Sequence, residues 1–165
     1  MGLGLVVAAI VAALDQLSKY LMLHYLWDSG NFVEVLPFFN LVNAWNTGVS
    51  FSMFSNQGNL GTVLLCLVAA TIVGFLLWWL KGEKIRAYQV ALGMIIGGAM
   101  GNMIDRLRVG AVFDFLDFHL GAHHWPAFNL ADSCIFIGAF IIITHNLWFS
   151  GPKKKKEKKT NENNA

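Results

Sequence analysis

The chain has 165 residues, 56% of them apolar and only 13% charged, a balance that excludes an ordinary water-soluble domain and points to a membrane as the main solvent. The net charge of +2 carries little meaning, because six of the twelve basic residues are the lysines between Lys153 and Lys159. That run has no interleaved aromatics and is followed by Thr160-Asn-Glu-Asn-Asn-Ala165, so it reads as a disordered tail over 151–165 and argues against nucleic-acid binding.

In chain order, four segments are long and apolar enough to span a bilayer: 2–23, 60–80, 87–106 and 132–149. About 20 residues at about 1.5 Å rise cover about 30 Å of hydrocarbon. The expectation is an all-α membrane protein, one domain over 1–150, with four transmembrane helices and a small extracytoplasmic β-rich segment at the outer interface.

The first segment lacks a charged start beyond the amino terminus and a small-x-small cleavage site, and reads as a retained helix rather than a signal peptide. It carries Asp15 and Lys19, whose i, i+4 spacing sets them on one helical face as an ion pair or a functional pair. Lys81, Lys84 and Arg86 lie between helices two and three, and the lysine run follows helix four. Basic residues favour the cytoplasm, so both termini are expected inside and residues 24–59 and 107–131 outside.

The outer segment 24–59 holds Asn31 to Val42 and Phe51-Ser-Met-Phe54, with partial alternation and the turn formers Pro37, Asn43, Asn46 and Gly48, a pattern for short strands. Trp27, Phe38, Phe39, Trp45 and Trp125 fit an interfacial belt. Cys66 and Cys134 sit in apolar runs and read as core residues. On helix three, Gly93, Gly97 and Gly101 repeat every four residues and invite close packing of another helix.

The polar group Gly101-Asn-Met-Ile-Asp-Arg106 ends that helix. Arg106 and Arg108 oppose the charge bias that sets the topology, so each requires a partner, a carboxylate or a lipid phosphate. Next, Asp114 and Asp117 stand among aromatics in Val112-Phe-Asp-Phe-Leu-Asp-Phe118, where desolvation favours a protonated carboxyl. Asp132 opens helix four, and by local logic it is a helix N-cap.

Two other chemistries are open to these residues. His119, His123 and His124 between the acids would suit a zinc hydrolase, although no His-Glu-x-x-His helix is present. Membrane acids also serve proton-coupled transporters, but those sites lie near the midplane between repeated halves, and the chain has no repeat.

Asp15-x-x-x-Lys19, Asn46-x-Gly48, Gly101-Asn102-x-x-Asp105-Arg106, Asp114-Phe and Phe128-Asn129-x-Ala131-Asp132-Ser133 together resemble, in order, the motifs of the bacterial lipoprotein signal peptidases, signal peptidase II. The chain departs from that pattern at Val49-Ser50, where two small residues are expected. The resemblance implies an aspartic endopeptidase of the bacterial cytoplasmic membrane. It would cut diacylglyceryl-modified prolipoproteins on the amino side of the lipidated cysteine. It implies Asp114 and Asp132 as the catalytic pair, with Asn102, Arg106 and Asn129 around them. Asp15, Lys19, Asn46 and Gly48 would support the site or the substrate backbone, and Asp105 would have a pairing role. Neither metal nor organic cofactor is implied; the expected partners are prolipoproteins and membrane phospholipids, with the chain acting as a monomer.

Overall fold

The computed structural model describes residues 1–48 and 60–149. The expected strand at Phe51–Phe54, the Val49-Ser50 departure and the basic tail lie outside the described residues.

Four helices cross-span the molecule: α1 (Gly2–Asp28), α2 (Leu60–Gly82), α3 (Arg86–Val109) and α4 (Leu130–Phe149). All four are long and apolar enough to cross a membrane, as the sequence predicts. Their exposed flanks carry Leu17, Leu64, Phe75, Phe136 and Ile143, a surface suited to lipid and not to water. α1 and α3 run several residues past their expected ends, α1 to Asp28 and α3 to Val109.

α3 is the central helix, packed by α1, α2 and α4. The glycine repeat explains the closeness. A Cβ on Gly93 would stand 2.5 Å from the Gly4 carbonyl oxygen, and one on Gly97 2.5 Å from that of Ala8, so these glycines admit the α1 backbone directly. Gly98 admits α4 at Ala131, and Gly138 of α4 returns the fit against Ala91 of α3. Leu76, Leu80, Leu92 and Ile96 with Ala8 fill the space between α1, α2 and α3.

The strands β1 (Phe32–Leu36), β2 (Phe39–Asn46), β3 (Val112–Leu120) and β4 (His123–His124) form an antiparallel sheet in the order β1-β2-β3-β4. Both outer segments contribute to it, whereas strands were expected only in 24–59. Phe113 and Phe115 of β3 pack on Leu26 at the end of α1, which anchors the sheet to the bundle. The period-two alternation of β3 turns Asp114 the other way, toward the start of α4.

The helix ends sort into two faces. Gly4 meets Leu80 and Gln89, and the Tyr88 and His145 rings meet, tilted, at 4.7 Å, so the first turn of α1, the α2–α3 loop and the end of α4 share one face. The sheet, Asp15 and Asp132 lie toward the other.

Candidate active site

Asn129 immediately precedes α4 and acts as its N-cap: its Oδ1 accepts from the Asp132 backbone N–H at 3.0 Å, and its own N–H donates to Asp132 Oδ2 at 3.3 Å. This is a reciprocal capping box, with Asp132 three residues inside the cap. The expected N-cap role of Asp132 is thereby corrected. Its carboxylate closes the box, and the cap itself is Asn129, because the helix begins two residues before Asp132.

The same Asn129 side chain donates from Nδ2 to Asp114 Oδ1 at 2.6 Å. Asp114 Oδ2 accepts from Asn46 Nδ2 at 3.1 Å, and Asp132 Oδ1 accepts from Asn102 Nδ2 at 2.7 Å. Asn102 Oδ1 takes hydrogen bonds from Lys19 Nζ at 3.0 Å and from Asn129 Nδ2 at 3.1 Å. The two carboxyls, 18 positions apart in sequence, thus meet on one residue, and each has an amide donor besides.

Burial raises the Asp114 carboxyl from 3.8 to about 6; the donor Asn46 opposes this, the charge of Asp132 adds to it, and Asn129 and Lys19 offset part of it. Asp114 is 2% exposed, while Asp132 is half-buried. One carboxyl is therefore withdrawn from water, and the other is reachable.

Beneath the carboxyls, Asp15 and Lys19 pair at 2.9 Å, as their spacing predicts, but the pair is part of a larger network. Lys19 also meets Asp105 at 2.7 Å, Asp15 Oδ1 accepts the Ala131 N–H of α4 at 2.9 Å, and Asp105 accepts from the Phe113 N–H at 3.4 Å. Gly101 has no room for a side chain because the Asp15 carboxylate occupies it. The network therefore ties α1, α3, β3 and α4 together under the site. Gln16 was not singled out by sequence; its Nε2 donates to Asp105 at 2.9 Å and to the Gly101 carbonyl at 3.2 Å. A glutamine one residue from a membrane aspartate was the available signal.

Asn46 also shapes its own turn: its Oδ1 accepts the Gly48 N–H at 2.8 Å, and Gly48 adopts φ +76, which a side chain would strain. Arg106 is not in hydrogen bond with either carboxyl. Its guanidinium lies under the Gly48 turn, with Nη2 3.7 Å from where a Gly48 Cβ would stand, and its buried Nε has no hydrogen-bond partner among the described residues.

Asp117 stands apart from these groups. It accepts from Asn40 Nδ2 at 2.9 Å and pairs with His124 at 2.9 Å, and although burial pushes its carboxyl up, these contacts hold it below the ordinary value. His119 stacks on His124 at 4.8 Å. Among the described residues no group of three or more His, Cys, Asp or Glu side chains is arranged to hold a metal ion. Cys66 and Cys134 are free thiols, Cys134 buried as expected.

A bundle of helices long and apolar enough to span a membrane, capped by a small sheet and with two carboxyls joined at a helix start, defines a multi-pass membrane protein. A family model described as signal peptidase (SPase) II matches residues 7–148, and the chain belongs to that family. It is 44% identical to a lipoprotein signal peptidase of Aeromonas hydrophila over 150 residues, covering 90% of this chain and 89% of the relative. A lipoprotein signal peptidase of Anaplasma phagocytophilum is 41% identical over 145 residues, covering 88% and 92%. A bacterial membrane enzyme solved by the in meso method at 2.3 Å superposes with a TM-score of 0.76 at 29% identity, covering 95% of this chain and 94% of that one.

Proposed function

We propose that the chain is an aspartic endopeptidase of the bacterial cytoplasmic membrane. It removes signal peptides from diacylglyceryl-modified prolipoproteins, on the amino side of the lipidated cysteine, with the carboxyls facing the extracytoplasmic interface. The observation that carries the reading is the contact of Asn129 with both Asp114 and Asp132. Family membership supplies the substrate class.

Two neighbouring carboxyls do not both ionise cheaply, so the pair holds one proton. Burial favours that proton on Asp114, which makes Asp114 the acid and Asp132 the base. Asp132 takes a proton from water as the water oxygen bonds to the scissile carbonyl carbon, and Asp114 gives its proton to the carbonyl oxygen. The resulting diol collapses: the C–N bond breaks, the leaving nitrogen takes the proton held by Asp132, and a diol hydroxyl returns one to Asp114. The pH–rate profile is bell-shaped, its limits belonging to the pair.

The test is incubation of the purified protein with a diacylglyceryl-modified prolipoprotein and with its unmodified precursor, followed by mass spectrometry of the products. The modified substrate is cut before its lipidated cysteine, the unmodified one is not, and a chelator changes nothing. Loss of cleavage on chelation, restored by zinc, contradicts the reading.

A further inference from the structure

Arg108 occupies the sheet-side end of α3 and has no ion pair or hydrogen bond among the described residues. The nearest acid on its helix, Asp105, is already engaged by Lys19 at 2.7 Å and Gln16 at 2.9 Å. Arg108 lines a cavity of about 150 Å³ between α1 and α3, walled on the outside by Tyr20, Leu23, Trp45, Val109 and Phe113 and on the inside by Gln16, Lys19 and Asp105, the last three already bonded to one another. A second cavity of about 460 Å³ shares Leu23 and Trp45 with it and extends the groove toward Trp27.

The surroundings select the occupant. Of the lining residues, Tyr20 of α1 and Arg108 and Val109 of α3 are exposed on spanning helices, so the groove opens on the outer surface of the bundle. Tyr20, Trp27 and Trp45 of its lining are exposed, side chains that collect at headgroup level. A guanidinium binds a phosphate through paired N–H donors, and a cation at this end opposes the basic bias of the other face. A cavity of this size admits a group as large as benzene.

We infer that the α1–α3 groove binds one membrane phospholipid, its phosphodiester on Arg108 and its glycerol and upper acyl carbons along Tyr20, Leu23 and Trp45. Neither Asp114 nor Asp132 lines the groove; Lys19 and Asp105 form its inner wall, and Asn102 stands between Lys19 and Asp132. The lipid braces Trp45, whose ring lies 5.3 Å from that of Phe113 and which precedes Asn46, a donor to Asp114.

Native mass spectrometry and thermal unfolding of the full chain in neutral detergent test this, with added phosphatidylglycerol, phosphatidylethanolamine or diacylglycerol of the same acyl chains. Both phospholipids are expected to bind and raise Tm through Arg108, whereas any binding of diacylglycerol, which lacks the phosphate and shares its lipid group with the proposed substrate, is expected to be unaffected by Arg108→Gln. Stronger binding of phosphatidylglycerol alone would identify net charge, and not the shared phosphodiester, as the feature read, and would overturn this form of the inference. Arg108→Gln lowers phospholipid affinity about tenfold, the worth of a charged hydrogen bond. Tyr20→Leu, which keeps every charge, lowers it less. Unchanged phospholipid affinity in a folded Arg108→Gln variant, or an equal loss of diacylglycerol affinity in it, overturns the inference whatever the result of the cleavage assay.

Discussion

Asn129 holds the cap of α4, one oxygen of Asp114 and the backbone contact to Asp132 in a single set of bonds. Asn129→Ala removes the cap, at about 1 kcal/mol, and takes the Nδ2 donor from Asp114, while the Asp132 carboxylate keeps the backbone N–H of residue 129 and the Asn102 amide. Misplacement of reacting groups by about 1 Å costs about 10²-fold in rate, so kcat is expected to fall by that order while KM changes little. Steady-state kinetics and unfolding of the same preparation separate the two effects. Lys19→Met strands Asp15 and Asp105 in the interior and is expected to cost about 3–5 kcal/mol. Asp114 gives a pH signature. Its folded carboxyl titrates at about 6 against an ordinary 3.8, so the folded form holds a proton that the unfolded form has lost. The stability this contributes is fully present below pH 3.8 and is lost as pH rises through about 6. Wild-type Tm is expected to fall across that window, and Asp114→Asn to flatten the fall.

At the scale of elements, the glycine pattern makes opposite predictions for two helices. Gly97→Ala puts a methyl against the Ala8 backbone and is expected to destabilise by about 1–3 kcal/mol. Gly74→Ala on α2 meets nothing and gains helix propensity, so it is expected to be neutral or stabilising by up to about 1 kcal/mol. Thermal unfolding in one detergent measures both. The helices and this packing were legible because length, apolarity and small-residue spacing are local properties. Strand β3 was not read, although Phe113 and Phe115 alternate around Asp114, because both faces of the strand are buried and its acids obscure the period. The start of α4 was misread by two residues; Asn129 and Asp132 at capping-box spacing were the overlooked signal. The pairing of Asp114 with Asp132 depends on β3 folding back beside α4, a long-range fact that neither residue's neighbours encode.

Across the whole molecule, the α2–α3 loop with Lys81, Lys84 and Arg86 lies on the face away from the sheet. In the proposed orientation, which follows the basic bias, that face is cytoplasmic. In a background with Cys66 and Cys134 replaced, His123→Cys is expected to react with a membrane-impermeant thiol reagent in intact spheroplasts, and Lys84→Cys only after lysis. The reverse pattern would invert the topology. The proposed acid pair remains the centre of the account, and it is tested most directly by cleavage of a purified diacylglyceryl-modified prolipoprotein with Asp114→Asn and Asp132→Asn, each checked for folding by its Tm. Both folded variants are expected to lose turnover; near-normal cleavage by either one would contradict the claim that these two carboxyls act together.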